Sequence, residues 1–125
     1  MRSSRRLHIL LVDDDESLVV PLTDMLEKLG HTVSGHSQSL GALRAFSDEP
    51  DEFDLAIVDL DMPELTGLEL GQRLRRIRPG FPVMLYSGRV DPSARAKIAA
   101  AGIDHVIIEP KTADQLEQAV KAALL

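Results

Sequence analysis

Apolar residues recur along the chain in two alternating rhythms. Residues 7–12 form a nearly continuous apolar run, as expected of a strand covered on both faces of a parallel sheet. A helical stripe follows: Leu18, Leu22, Met25, Leu26 and Leu29 fall on one side and Gly30 closes them. Pro21 sits early in that helix, where it either delays the regular start or kinks the axis. Residues 31–35 read as a short, weaker strand near a sheet edge. A modest helix over 39–46 places Leu40, Leu43 and Phe46 on one side, and residues 55–58 form a third strand. A helix over 68–77 buries Leu70, Leu74 and Ile77. Pro79 and Gly80 break the chain before a fourth strand at 82–86. An alanine-rich helix over 94–101 ends at Gly102, and residues 106–108 form a fifth strand. Thr112 caps a last helix carrying Leu116, Ala119, Val120 and Ala123.

Strand and helix thus alternate through the chain, with no repeat, linker or low-complexity block between them. Alternating units of this length imply an α/β fold, with a parallel sheet, helices on both faces and right-handed crossovers. A chain of 125 residues suits one domain with a real core. We divide it into a basic tail over 1–6 and the domain proper over 7–125. Aromatics make up only 3% of residues, so aliphatic side chains must build that core. With no cysteine, neither a disulfide framework nor a thiolate zinc site is possible, which fits a reducing cytoplasm. A net charge of −6 disfavours direct nucleic-acid binding. No apolar run approaches the ~18 residues of a membrane helix, and the N-terminus lacks a signal-peptide core.

Chemistry concentrates at the strand ends. Asp59 ends the run Phe53 to Val58, and Asp13, Asp14 and Asp15 follow the first strand in the same way. Open α/β sheets place their chemistry at the C-terminal ends of strands. One aspartate there would ordinarily cap a helix or meet solvent. Three of them, Asp13, Asp14 and Asp59, on what become adjacent strand ends point to a metal site. Carboxylates that converge repel one another and call for a hard divalent cation with oxygen ligands. Such a metal beside one reactive carboxylate suits phosphoryl transfer to an aspartate. Asp15 and Glu16 read instead as charges at a helix N-terminus. Ser87 follows the fourth strand and Glu109 the fifth. His8, His31, His36 and His105 show no ligand spacing and read as strand or surface residues.

From Ile9 to Leu124 the chain resembles the receiver domain of two-component response regulators. The resemblance rests on Val12-Asp13-Asp14, on Asp59 with Met62-Pro63 and Gly67 behind it, on Ser87-Gly88, and on Pro110 before the last helix. Each piece alone is weak; their order and spacing together are specific. The resemblance implies a flavodoxin-like, doubly wound five-stranded parallel sheet, (βα)5, in strand order 2-1-3-4-5. It implies that Asp59 is the phosphoacceptor, charged by a histidine kinase or a histidine phosphotransfer protein. Asp13 and Asp14 match the pair that holds Mg²⁺ (or Mn²⁺), Asp14 directly and Asp13 through water. Asp61 matches the position whose backbone carbonyl completes the metal site, and Ser87 the hydroxyl that binds a phosphoryl oxygen. A module of this kind assists its own phosphorylation and is not otherwise an enzyme. A second copy of the chain remains an option as partner.

Two positions depart from the family pattern. Where the resemblance places a lysine before Pro110 the chain has Glu109, with Lys111 beyond the proline; where it places a switch aromatic the chain has Val106. We expect Glu109 to turn outward or to pair with Arg89 or Lys111 rather than face Asp59. Arg89 lies two residues past Ser87, as Asp61 lies two past Asp59. An exposed Arg89 is the simpler reading, and an Arg89–Asp61 pair gating water the alternative. The leading function is a phosphorelay receiver, either a stand-alone regulator or part of a larger protein; a looser resemblance points to hybrid histidine kinases. A phosphorylation-independent binding module is the alternative. More remote is a haloacid-dehalogenase-like phosphatase, suggested by Asp59-Leu60-Asp61 but lacking that family's later lysine and acidic pair.

Overall fold

A computed structural model of the chain describes residues 6–88, 90–103, 105–108 and 112–124. Five strands, β1 (His8–Val12), β2 (Thr32–His36), β3 (Leu55–Asp59), β4 (Val83–Ser87) and β5 (His105–Ile108), form one sheet in the order β2-β1-β3-β4-β5. Every neighbouring pair is parallel. Between them run α1 (Glu16–Lys28), α2 (Ser39–Asp48), α3 (Gly67–Ile77), α4 (Pro92–Ala100) and, last, α5 (Ala113–Ala123). A short 3₁₀ turn, Pro50–Glu52, precedes β3. The expected strand order and the parallel, doubly covered sheet are therefore observed, with β2 at an edge as expected.

The two faces follow from the period of two along a strand. Leu10, Val12, Ala56, Val58, Val83 and Leu85 point to one side, where they meet Ala42 and Phe46 of α2, Leu70 and Leu74 of α3, and Ile98 of α4. Ile9, Leu11, Leu55, Ile57, Met84 and Tyr86 point to the other, against Leu22 and Leu26 of α1 and Leu116 and Val120 of α5. Phe46, Phe53 and Phe81 gather at the base of the first side.

Several expected boundaries and faces shift. Pro21 lies inside α1, which already begins at Glu16, so it does not delay the start. Leu18, Leu40 and Ile77, expected on buried stripes, are exposed. The real inner face of α2 is Ser39, Ala42 and Phe46, with Leu43 partly buried; that of α3 is Gly67, Leu70, Gly71 and Leu74. The helix caps form as expected: the Asp15 side chain accepts from the Ser17 amide, Glu16 sits in the first turn of α1, and Thr112 accepts from the Gln115 amide.

Candidate functional site

The parallel sheet brings the C-terminal ends of β1, β3 and β4 to one edge. The first consequence is that Asp13, Asp14 and Asp59 each place a carboxylate oxygen within 4.8 Å of the others. Among the described residues this is the group of acidic side chains close enough together to share a metal ion. Asp13 is buried, Asp59 half-buried and Asp14 exposed.

Each acid is held differently. The Asp13 amide donates to the carbonyl of His36 (3.1 Å), which ties the end of β1 to β2. Its carboxylate accepts from the Asp15 amide through Oδ1 (2.9 Å) and from the Tyr86 hydroxyl through Oδ2. Asp59 ends β3, and its Oδ1 accepts from the Asp61 amide (3.2 Å). The next residue, Leu60, donates its amide to the carbonyl of Tyr86 (2.9 Å), so the chain leaves β3 still attached to β4. Ser87, the buried last residue of β4, donates its hydroxyl to Asp61 Oδ2 (3.3 Å).

Asp59 carries the electrostatic consequence. Burial pushes its carboxyl up to about 7; the Asp61 amide opposes this, while Asp13 and Asp14 add repulsion. Tyr86 is likewise raised well above the ordinary phenol range, first by burial and then by its bond to Asp13, so it stays a neutral donor. The charges acting on Asp59 are of its own sign. An all-carboxylate set with no nitrogen or sulfur donor, under mutual repulsion, fits a hard divalent cation such as Mg²⁺ or Mn²⁺ and not zinc or copper.

The structure therefore gathers Asp13, Asp14 and Asp59, and brings Ser87 and Asp61 to their border. The Asp61 carboxylate lies outside the acidic trio and is engaged by Ser87. Glu109, Pro110, Lys111 and Arg89 lie outside the described residues. Val106 packs partly buried against the α2–α4 side of the core, paired in register with Leu85. Tyr86 is the participant that sequence reading treated as an ordinary strand residue. It is the single tyrosine of the chain and immediately precedes Ser87, but neither fact points to Asp13 as its partner.

The family model for the response regulator receiver domain matches residues 9–121. The chain is 30% identical over 122 residues to the transcriptional regulatory protein GlrR of Escherichia coli, covering 98% of this chain and 27% of that protein. It is 31% identical over 117 residues to the aerobic respiration control sensor protein ArcB of the same organism, covering 92% of this chain and 15% of that protein. This chain thus spans under a third of the length of either relative. Among solved structures, a response regulator receiver domain protein from Clostridium thermocellum aligns with a TM-score of 0.87 at 27% identity, over 94% of each chain. No described helix is long and apolar enough to cross a membrane.

Proposed function

The chain belongs to the response regulator receiver domain family, and from that premise we propose that it accepts a phosphoryl group on Asp59 from the phosphohistidine of a histidine kinase or phosphotransfer protein. The observation that carries this is the convergence of Asp13, Asp14 and Asp59 at one edge of the sheet. In the step, an Asp59 carboxylate oxygen forms a bond to phosphorus. The phosphorus–nitrogen bond of the donor breaks, its electron pair returns to the imidazole, and the imidazole takes a proton from solvent. The product is an acyl phosphate.

Asp14 and Asp59 would hold Mg²⁺, with the backbone carbonyl of Asp61 alongside and Asp13 acting through water. When bound, the ion supplies positive charge that offsets the acids and the oxygens of the transferring group. The chain's own residues supply the rest. Asp59 must be ionised to attack, and its proton is held up to about pH 7 in the absence of the ion. The Asp61 amide already donates to Asp59 Oδ1, which fixes the carboxyl group at the end of β3. Ser87 stands on the next strand with a hydroxyl that must leave Asp61 to meet a phosphoryl oxygen.

The relatives suggest two settings, a transcriptional regulator and a sensor protein, both larger than this chain. Either would place the domain in the cytoplasm. A phosphorylation-independent binding module is the second reading, and Glu109 favours it, because the sequence offers an acid where the family resemblance offers an ammonium.

Mass spectrometry after incubation with acetyl phosphate separates the two. The expected result is one added phosphoryl group in the presence of Mg²⁺, none without it, and none in Asp59→Asn. Label retained in Asp59→Asn would reject the assignment. No label under any condition would favour the binding module.

A further inference from the structure

Tyr86 is a Cα register partner of Asp59 in the β3–β4 pair. Its ring is buried in the core between the sheet and the α1/α5 layer, together with Leu11 and Ile57. Its hydroxyl reaches past β3 to Asp13, which follows β1, and donates to Oδ2. The other oxygen of Asp13 is already occupied by the Asp15 amide at 2.9 Å. Asp13 is only 1% exposed, so these donors do work that water does for Asp14.

We propose that Tyr86 belongs to the acidic site, where its hydroxyl tempers the charge of Asp13 and so limits how tightly the site holds a divalent cation. The inference rests on the metal-dependent reading above. A hydrogen bond from a neutral donor to a full carboxylate is charge-assisted, and it weakens when a cation shares that charge. Tyr86 therefore stabilises the metal-free state more than the metal-bound one, and whatever favours the free state lowers affinity. Removing the hydroxyl leaves Asp13 in place, because the Asp15 amide still fixes Oδ1. The loss falls on charge balance rather than on position. Tyr86 is thus a tuning residue that acts through Asp13.

The chain carries its own reporter of this contact, since it has one tyrosine and no tryptophan. A phenol bonded to a carboxylate is quenched by proton transfer in the excited state. Emission from Tyr86 is expected to rise as a cation draws charge from Asp13.

Calorimetric titration of the metal-free chain with Mg²⁺, wild type beside Tyr86→Phe, tests the proposal, with tyrosine emission followed in the wild type. Tyr86→Phe is expected to bind Mg²⁺ about threefold or more tightly, since the net worth of a charge-assisted hydrogen bond exceeds that factor. Wild-type emission is expected to rise and saturate along the calorimetric curve. Asp13→Asn without metal is expected to be brighter than wild type, because an amide does not accept the proton. A folded Tyr86→Phe that binds equally or more weakly would overturn the role of Tyr86 and leave the metal site standing. Should Tyr86→Phe not fold, a flat wild-type emission through Mg²⁺ saturation would overturn it instead. A wild type that binds no Mg²⁺ at all would sink the metal-dependent reading itself.

Discussion

Gly67 and Asp59 stand too close for a side chain to come between them. A Cβ on Gly67 would lie 2.8 Å from the carbonyl carbon of Asp59 and 2.9 Å from the Cα of Leu60. The Gly67 amide meanwhile donates to the Leu60 carbonyl at 3.0 Å, which folds the β3–α3 loop back over the strand end. Gly67 is thus the point where α3 begins against the backbone of the proposed phosphoacceptor. The obstacle is backbone, which cannot rotate away. Gly67→Ala is expected to cost about 1–3 kcal/mol, the range of overpacked sites. Urea unfolding measures the cost. Amide shifts of Asp59, Leu60 and Asp61 should move in the same variant, and unmoved shifts with unchanged stability would contradict the close approach.

The raised carboxyl of Asp59 makes a signed prediction for stability against pH. Its ordinary value of 3.8 rises to about 7 in the folded chain. Between those values the folded state keeps a proton that the unfolded chain has released. Stability of the metal-free protein must therefore fall as pH rises through this window, and the contribution is fully present only below about 4. His31 and His36 work in the opposite sense, because burial lowers both, and their contribution is lost as pH falls below the ordinary histidine range. Asp59→Asn isolates the carboxyl. Unfolding series in chelator should show a flatter profile for Asp59→Asn and greater stability than wild type at pH 8. Identical slopes for the two proteins would mean that Asp59 ionises normally.

The loop between β3 and α3 holds one strained and one capped residue. Glu64 has φ +66°, a left-handed conformation that costs a side-chain-bearing residue. Two residues on, Thr66 and Glu69 form a capping box: the Glu69 amide donates to Thr66 Oγ1 at 3.2 Å and the Thr66 amide to Glu69 Oε1 at 3.0 Å. Substitutions two residues apart should then change stability in opposite directions. Glu64→Gly is expected to gain about 0.5 kcal/mol, the strain relieved less the added freedom of the unfolded chain. Thr66→Ala is expected to lose about 1 kcal/mol. Thermal unfolding of both variants is the check.

Much of this was legible in the sequence because the information is local. An apolar run followed by an aspartate states both a doubly covered strand and its chemical end, and Asp13, Asp14 and Asp59 assemble once the strands are parallel neighbours. Helix faces were less legible at their ends. Leu18, Leu40 and Ile77 continue a helical stripe by spacing, but each lies near a helix terminus and is left exposed. Periodicity fixes a direction, not whether another layer reaches that far. The Tyr86–Asp13 contact was not legible at all. A period of two gives the face on which Tyr86 lies, while its partner depends on strand order and on the reach of a phenol past β3. The side-chain bond from Ser87 to Asp61 likewise joins the end of β4 to the loop after β3, which no local pattern connects.

Glu109 carries the last prediction, which rests on sequence and charge alone because the residue lies outside the described part of the chain. Asp13 and Asp14 already repel the charge that Asp59 must acquire in order to react. An incoming phosphoryl group adds further negative charge, and a divalent ion offsets only part of it. A lysine at position 109 would add a positive charge to that balance, and unit charges 4 Å apart interact by about 4 kcal/mol at an effective dielectric near 20. Glu109→Lys is therefore expected to raise the rate of phosphorylation by acetyl phosphate, at fixed Mg²⁺, by about tenfold or more, since each 1.4 kcal/mol is a factor of ten. Lys111→Ala and Arg89→Ala belong in the same series. An unchanged rate in Glu109→Lys with a large loss in either alanine variant would mean that a relocated cation already serves Asp59. Unchanged rates in all three would mean that no side-chain cation takes part, leaving the bound ion and neutral donors such as Ser87 to carry the charge.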